Sequence, residues 1–320
     1  MTHRVRVFAP ATISNLGPGF DVLGLALQQP GDVVEVEVSD KPGVQIVEVT
    51  GAGNRLTTDS TQNVAGVAAA DVLQRIQAGE KRAVVGVRLW LHKQMPLASG
   101  LGSSAASSAA GAVAINELLD NPLSRKELIS SALKGEYIAS GSAHADNVAP
   151  SLLGGIVLIR SYNPFELVSL PVPPDLRVIV IHPHFEVETS LARALVNEQR
   201  YELGPVVTNL GNLGAFVAAL YENDLGLFGR SICDRLIEPT RAKLIPGFQN
   251  VKDAALKAGA LGCSISGGGP AVFAFSDNDR GAASVAQAMC EAFKISGGLD
   301  SKAYVGLINT RGAHTVTQDT

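Results

Sequence analysis

The sequence predicts an α+β fold organised in two domains. The chain has 320 residues, of which 46% are hydrophobic, and this length favours two domains or one large one. Short β-branched runs alternate with helix-forming segments in both halves of the chain. Such alternation favours an α+β or α/β fold over a helical bundle or a β-sandwich.

The first half reads as strands followed by packed helices. Up to about Trp90, runs such as RVRVFA, DVVEVEV and VQIVEV are separated by Gly, Pro and Asp, which predicts strands and turns around one helix near residues 63–77. From Ser103 the small residues of SSAASSAAGAVAINELL predict a tightly packed helix. The next helix begins at a Ser124-x-x-Glu127 capping box and has Glu136 near its end.

The second half repeats this alternation after a change in composition. SGSAHADNVAP reads as turn residues before the apolar strand GGIVLIR, and the proline-bearing stretch SYNPFELVSLPVPPDLR is the best boundary candidate, near Leu167. We therefore expect domains at 1–167 and 168–310 and a polar tail at 311–320. Within the second domain, RVIVIHP predicts a strand, three helical patterns cover about 205–258, SISGGGPAVFAFS predicts a strand, turn and strand, and a last helix precedes the strand KAYVGLI.

The bulk properties favour a small-molecule partner in the cytoplasm. The 30 acidic and 26 basic residues give a formal charge of -4 without a basic block, so neither nucleic acid nor an anionic membrane is indicated. Cys233, Cys263 and Cys290 lack disulfide or metal-ligand spacing and are expected as buried, reduced side chains. We see neither a signal peptide nor a run of about twenty apolar residues. A mature organellar protein would have the same features.

The segment PLASGLGSSAASSAAG, Pro96 to Gly111, predicts an anion site. Gly100 and Gly102 allow close backbone approach, and the helix that follows directs unpaired N–H groups and the positive end of its dipole toward the loop. The structural alternative is a glycine turn before an alanine-rich packing helix.

Two other phosphate motifs fit this segment less well. A Walker A loop requires Gly-Lys-Ser/Thr, and the chain contains no Gly-Lys pair. GLGSSA satisfies G-x-G-x-x-A, the dinucleotide-binding pattern of oxidoreductases. That pattern needs an immediate turn after its strand, whereas here the strand ends near His92 and HKQMPLAS intervenes.

Three motifs together resemble the GHMP kinases. P-x-x-x-G-L-G-S-S-A-A at Pro96–Ala106 is similar to their most diagnostic signature, APATISNLGPGFDVLGLAL at Ala9–Leu27 resembles the first signature of the homoserine kinase branch, and SISGGGPAVFAF at Ser264–Phe275 resembles the third. With HADNVAP and EPTR, the resemblance spans nearly the whole chain. It implies an N-terminal domain like domain 2 of ribosomal protein S5, a ferredoxin-like C-terminal domain and a site between them.

The resemblance also implies a reaction. Homoserine kinases transfer the ATP γ-phosphoryl group to L-homoserine, giving O-phospho-L-homoserine and ADP in threonine biosynthesis, with ATP and Mg²⁺. A homodimer is an additional expectation for this chain. The alternatives are another GHMP kinase acting on a different acid-bearing alcohol and a non-catalytic nucleotide-binding module on the same fold.

The nucleotide residues follow from the same resemblance. Ser104 and Glu136 match the Mg²⁺ ligands, being a hydroxyl and a carboxylate of the hard-oxygen type that this ion prefers. Asn63 matches a position near the base. The residues implied around the phosphates are Pro96, Leu97, Ala98, Ser99, Gly100, Leu101, Gly102, Ser103, Ser104, Ala105 and Ala106.

The substrate residues are implied in the same way. An amino acid presents an ammonium and a carboxylate, so its pocket needs acidic or amide groups and arginines. Asn15 and Asp21 match positions that hold the amino end and hydroxyl, and Arg193 and Arg241 match those that bind the carboxylate. Thr189 is expected nearby.

The HADN segment carries a departure from part of the superfamily. Mevalonate kinases have an aspartate, proposed as general base, seven residues before a Gly-Gly pair, where this chain has Asn147. An amide cannot accept the hydroxyl proton, so positioning and charge stabilisation are expected to dominate, with Asn147, Arg241, Glu136 and Ser104 as the catalytic set. For His144, substrate contact and a loop-fixing hydrogen bond both remain open.

Overall fold

Two β-sheets carry the fold. In the computed structural model, which describes residues 4–80, 86–141 and 144–317, the chain forms a seven-stranded sheet and a four-stranded sheet. The strands are β1 (Arg4–Ser14), β2 (Leu23–Ser39), β3 (Gly43–Thr50), β4 (Gly86–His92), β5 (Ile156–Tyr162), β6 (Phe165–Leu170), β7 (Arg177–Pro183), β8 (Gly262–Ile265), β9 (Val272–Ser276), β10 (Ser301–Leu307) and β11 (His314–Thr315).

Ten α-helices accompany the strands within the described residues. They are α1 (Val64–Glu80), α2 (Ser103–Leu118), α3 (Arg125–Ser140), α4 (Ala145–Leu153), α5 (Thr189–Asn197), α6 (Leu203–Glu222), α7 (Leu225–Ser231), α8 (Glu238–Arg241), α9 (Phe248–Lys257) and α10 (Asp279–Ala292). The mixed content confirms the predicted α+β class.

The smaller sheet has ferredoxin-like topology. Its strand order is β10-β7-β9-β8 and every pairing is antiparallel. Helices lie between β7 and β8 and between β9 and β10, which gives the β-α-β-β-α-β sequence of that motif. The larger sheet runs β11-β1-β2-β4-β3, and β5 and β6 extend it from the other end of the long strand β2.

Helix α2 forms the centre of the first domain. All of its 16 residues except Ser104 and Glu117 are buried. Most of its residues are Ala, Ser or Gly, so α1, α3 and the sheet can approach it closely. The close packing typical of protein interiors requires that the contacting surfaces match in shape. The buried cluster around α2 continues into the second sheet through Val180, Phe273 and Phe275.

Several local predictions are confirmed. Helix α3 begins with the full capping box, since the Ser124 side chain accepts from the Glu127 N–H and the Glu127 carboxylate accepts from the Ser124 N–H at 2.8 Å. Strand β4 ends at His92, and β8 and β9 flank a glycine turn.

Two helices were not predicted. ADNVAPSLL reads as turn residues but forms α4, because its apolar side chains Ala145, Val148, Ala149 and Leu152 are all buried. Burial of this face outweighs the polar composition and the internal proline. TSLARALVN forms α5, for which the sequence analysis gave no expectation.

The ends of the domains differ from the sequence expectation. Leu167 lies inside β6, which pairs with β5, so the chain passes from one sheet to the other between Leu170 and Arg177. The expected polar tail begins at Arg311, yet β11 pairs with β1 and Ala313 is buried. We therefore propose a first domain that extends to about residue 170 and also includes the last described strand. Residues 318–320 of that tail lie outside the described residues.

Two expectations about side chains and apolar runs are corrected. Only Cys263 is buried, whereas Cys233 and Cys290 are half-buried because each sits on a partly exposed element; all three are free thiols. Helix α6 is long and apolar enough to cross a membrane by length and composition, and only 22% of its most apolar window is buried. The sequence reading missed it because Pro205 and three glycines interrupt the run.

We expect Gly111→Ala to destabilise the protein, because the added Cβ would lie 2.5 Å from the Ala65 carbonyl oxygen where α1 crosses α2. Overpacking of this kind costs about 1–3 kcal/mol. The matched control is Gly204→Ala in α6, where a Cβ meets nothing within 4 Å. The control should be neutral or slightly stabilising. Chemical denaturation of both variants checks this, and equal free energies of unfolding would contradict the close packing of α2.

Candidate active site

A cavity of about 640 Å³ lies where the two domains meet. Its walls are the loop before α2, the end of β1, the turn between β8 and β9, and the N-terminal residues of α5 with Arg241 of α8. The three sequence motifs, far apart along the chain, thus converge on one site.

Hydrogen bonds to its backbone carbonyls hold the glycine loop against both sheets. The Ser266 hydroxyl donates to the Gly100 carbonyl at 2.6 Å, and the Ala271 N–H donates to the Ser99 carbonyl at 3.2 Å. On the other side, the Thr12 N–H donates to the Leu101 carbonyl at 3.0 Å. The third motif therefore supports the loop.

Gly102 leaves the N-terminus of α2 open. It is the N-cap residue with φ of 63°, and no side chain caps the helix. A Cβ at this position would lie 2.0 Å from the Thr12 hydroxyl and 2.8 Å from the Asn147 side-chain oxygen. Because the first N–H groups of a helix have no partner within it, they are available to an anion in the cavity.

Most residues expected at the site line this cavity. Those that do are Asn15, Asp21, Asn63, Leu97, Ala98, Ser99, Gly100, Gly102, Ser103, Ser104, Glu136, His144, Asn147, Thr189, Arg193 and Arg241. Four expected around the phosphates do not, namely Pro96, Leu101, Ala105 and Ala106. The side chains of the last three are fully buried in the core, so only their backbone faces the loop.

Asp21 and Arg193 form a two-pronged ion pair across the domain interface. The Arg193 guanidinium donates to the two Asp21 carboxylate oxygens at 2.6 and 2.9 Å. This hydrogen bonding raises the pKa of Arg193 above its usual range. The same guanidinium stacks 5.0 Å from the Phe20 ring. Because Arg193 engages both carboxylate oxygens of Asp21, a ligand can bind Asp21 only by sharing its carboxylate with Arg193.

Arg241 has a hydrogen-bond donor without a partner among the described residues. It is 4% exposed, donates from Nη1 to the Gly267 carbonyl at 2.6 Å, and its buried Nε makes no hydrogen bond. Its guanidinium lies 5.1 Å from the centroid of the Phe20 ring. Burial and the nearby Arg193 lower its pKa from the usual value. A buried guanidinium without a carboxylate partner suits an incoming anion.

Asp146 was not expected at the site, yet it lines the cavity and is 2% exposed. Burial, followed by the charge of Asp21, raises its pKa to about 7. His144 lies 3.3 Å from Glu136, and although burial lowers the pKa of His144, Glu136 and Asp146 raise it more. The cavity thus contains a group of acidic side chains together with its arginines.

Asn147 is fixed by a residue that the sequence analysis missed. The Thr12 hydroxyl donates to the Asn147 side-chain oxygen at 2.8 Å. The amide nitrogen lies 3.5 Å from an Asp146 carboxylate oxygen, and its second N–H is available as a donor toward the cavity. Thr12 lies within the first motif, two residues before the end of β1, but the resemblance assigns it no role.

Two asparagines have structural partners at both ends of their amides. Asn15 donates to the Gly267 carbonyl at 3.1 Å and accepts from the Asp21 N–H at 3.1 Å. Asn63 donates to the Thr57 carbonyl at 2.8 Å and accepts from the Ala65 N–H at 3.1 Å, at the start of α1. Each lines the cavity while holding a loop in place.

The oxygen donors present suit Mg²⁺ bound together with a nucleotide. Ser104 and Glu136 line the same cavity, and Glu136 is 4% exposed. The described residues contain no cluster of three or more His, Cys, Asp or Glu side chains that would make an all-protein metal site. One hydroxyl and one carboxylate match the way Mg²⁺ is usually held, with waters and phosphates as its other ligands.

Comparison with known proteins identifies relatives of this chain. The models described as GHMP kinases N terminal domain and GHMP kinases C terminal match residues 63–155 and 216–295. The homoserine kinase of Chlorobium phaeobacteroides (strain BS1) is 44% identical over 315 residues, 97% of this chain and 98% of the relative. The crystal structure of homoserine kinase from Cytophaga hutchinsonii has a TM-score of 0.94 and 47% identity, covering 99% of this chain and 98% of that one. The L. major mevalonate kinase in complex with R-mevalonate, at TM-score 0.71 and 16% identity over 98% and 97% of the chains, shares the fold.

The raised pKa of Asp146 predicts a pH-dependent stability. Between pH 4 and pH 7 the folded state keeps a proton on this carboxyl that the unfolded chain has already released, so stability should fall as the pH rises through that window. Asp146→Asn should remove this slope and be the more stable protein above pH 7, by on the order of a few kcal/mol. Denaturation from pH 4 to 8 measures this, with the exposed Asp59→Asn as control. An unchanged slope in Asp146→Asn would contradict the assignment.

Proposed function

The chain belongs to the GHMP kinase family, and we propose that its cavity holds L-homoserine between Arg241 and Asp146 with the ATP phosphates at the N-terminus of α2. As a homoserine kinase, it transfers the ATP γ-phosphoryl group to the hydroxyl, giving O-phospho-L-homoserine and ADP for threonine biosynthesis. The observation that carries the proposed arrangement is the open guanidinium of Arg241 beside a buried carboxyl in the same cavity as the glycine loop.

The charges of the cavity fit a zwitterionic amino acid. The guanidinium of Arg241 would bind the substrate carboxylate through its unpaired donors. The carboxyl of Asp146, with Asp21 close enough to raise its pKa, would accept the ammonium group. Thr189 and Arg193 line the wall between these ends, and His144 lies against Glu136.

Asn147 would place the hydroxyl that is phosphorylated. Because the Thr12 hydroxyl occupies its oxygen, an N–H of its amide would donate to the substrate oxygen, whose own proton would pass to an oxygen of the transferred phosphoryl group. Side-chain base catalysis at this position is not available to an amide. The residues contribute mainly by orientation, which brings the reacting oxygen in line with the γ-phosphorus.

The nucleotide end relies on the helix terminus. The amides of Ser103 and Ser104 and the positive end of α2 would stabilise the phosphates, and Asn63 would lie near the base. We propose that Ser104 and Glu136 hold Mg²⁺, which when bound supplies charge neutralisation of the β- and γ-phosphates.

Substrate choice is tested by ADP release with homoserine, mevalonate, shikimate and galactose offered separately. We expect ADP only with homoserine. Release with mevalonate instead would favour another branch of the superfamily, and no release with any alcohol would favour a nucleotide-binding module.

Arg241→Leu should raise the KM for homoserine steeply and leave the KM for ATP almost unchanged. The expected loss is about 2–4 kcal/mol in kcat/KM, because a shielded carboxylate would lose its charged partner. Wild type should discriminate strongly against 3-aminopropan-1-ol, which lacks the carboxylate, and the variant far less. Arg235→Leu, an exposed arginine six residues earlier, is the control. Equal impairment with both substrates would show that Arg241 acts on the phosphates or on the fold.

We also propose that the protein is a homodimer that acts in the cytoplasm. The outer face of α6 carries one exposed stripe of apolar and small residues, spaced three and four apart: Leu203, Val207, Leu210, Gly214, Ala218 and Tyr221. Such spacing suits a second helix along the seam, and no charged residue occurs between positions 203 and 221. In a symmetric dimer, the stripe of each subunit would be covered by the same stripe of the other subunit. Asn209 and Asn212 tie the inner face to Pro18 and Cys233, which opposes insertion into a bilayer.

Leu210→Glu should convert the dimer into a monomer, because it places a charge in the centre of the seam. Sedimentation velocity measures the mass of the species, with Val47→Glu on the exposed face of β3 as control. A monomeric wild type, or wild type that binds lipid vesicles through this stripe, would contradict the proposal.

A further inference from the structure

A buried ion pair lies directly behind the phosphate loop. Lys93 follows β4, Asp32 lies in β2, and their side chains are 2% and 0% exposed. The Lys93 ammonium contacts Asp32 and also lies 2.9 Å from the Ser103 carbonyl, 2.5 Å from the Ser103 hydroxyl and 2.8 Å from the Ser107 hydroxyl. Burying such a pair is expensive in desolvation, and a pair of apolar side chains would often serve the fold as well.

The hydrogen bonds of this cluster have defined directions. An ammonium group only donates, so the hydroxyl oxygens of Ser103 and Ser107 both act as acceptors toward Lys93. The Ser107 hydroxyl in turn donates to Asp32 at 2.7 Å. Asp32 also accepts from the Gln94 N–H at 3.0 Å, which fixes the chain just after Lys93. The proton of Ser107 is therefore committed within the cluster.

The proton of Ser103 is directed elsewhere. Its oxygen faces Lys93, so its O–H bond points away from the ammonium, and Ser103 lines the cavity at the N-terminus of α2. Of the other cations that line this cavity, Arg55 and Arg193 are each bound by both oxygens of a carboxylate, on Glu186 and Asp21, and Arg241 is held at the turn between β8 and β9 by the Gly267 carbonyl. Lys93 is thus the cation directly behind the phosphate loop.

We propose that Lys93 is a positioning residue for phosphoryl transfer, which with Asp32 and Ser107 orients the Ser103 hydroxyl as a hydrogen-bond donor to a phosphate oxygen of ATP. The identity of the anion rests on the proposed function. The orienting network does not depend on the proposed function, because all of its contacts are between residues of this chain. Since Lys93 polarises the oxygen that it donates to, the Ser103 hydroxyl becomes a stronger donor toward the ligand. The paired Asp32 keeps the ammonium in place behind the helix.

A double-mutant cycle tests the coupling between Lys93 and Ser103. The readout is the affinity for the ATP analogue AMP-PNP with Mg²⁺, measured by calorimetry without homoserine. Ser103→Ala should weaken binding about tenfold, as for loss of a hydrogen bond to a charged group. The neutral pair Lys93→Met/Asp32→Asn should weaken it by about tenfold or more, and adding Ser103→Ala to that pair should cost less than about twofold further.

A milder comparison uses two neighbouring serines of α2. Ser107→Ala removes the hydroxyl that bridges Lys93 and Asp32 beside their direct contact, and should weaken AMP-PNP binding about threefold. Ser108→Ala is the matched control, because Ser108 is equally buried but donates to the Ala132 carbonyl on the other side of the helix. It should bind AMP-PNP like wild type. This comparison decides the question alone if the neutral pair does not fold.

Two results would overturn the inference. One is an equal loss of AMP-PNP affinity on Ser103→Ala in the wild type and in the Lys93→Met/Asp32→Asn protein. The other is equal AMP-PNP affinity of Ser107→Ala and Ser108→Ala. Failure of the wild-type protein to phosphorylate homoserine would instead refute the proposed function, and the AMP-PNP measurements would stand apart from it.

Discussion

The arrangement of the whole site depends on one close backbone contact, between the glycine loop and the turn of the second sheet. At Gly100, a Cβ would lie 2.6 Å from the Ser266 carbonyl oxygen and 2.9 Å from that of Gly269. Only with no side chain there can the two domains meet at the helix terminus. The same turn presents the Gly267 carbonyl, which accepts from both Asn15 and Arg241. The position of the substrate arginine is thus tied to the position of the phosphate loop.

The sequence allowed the elements with strong local signals to be predicted, and the others depend on contacts between distant residues. The capping box of α3, the strand before the glycine loop and the strand-turn-strand at β8 and β9 all carry patterns within a few residues. Helix α4 carries none, since its sequence reads as polar and only burial of one face makes it helical. Strand β11 exists because β1 offers it an edge.

The same distinction applies to the site. Motif resemblance located the cavity because its glycines and the Glu136 and Arg241 positions recur in a fixed order. It does not reveal how side chains are engaged: Asn15 and Asn63 line the cavity, and both ends of their amides also hold loops. Lys93 and Asp32 were missed altogether, because 61 residues separate them and neither lies in a pattern that a sequence shows.

Some charged groups of the cavity are paired within the protein, and others are left for the substrate. This difference explains the role of an amide at position 147. Asp21 with Arg193, and Asp32 with Lys93, form complete pairs that hold the walls in place. Neither Asp146 nor Arg241 forms an ion pair with another side chain in the part of the chain that the structure describes, and an amino acid supplies both charges at once. Phosphoryl transfer through a loose transition state needs little proton removal before the phosphorus–oxygen bond breaks. An asparagine held by Thr12 therefore contributes orientation, while the helix terminus and its oriented hydroxyls stabilise the developing charge. A carboxylate at position 147 would add a third negative group beside Asp146 and Asp21, raise the pKa of Asp146 further, and weaken its hold on the ammonium group.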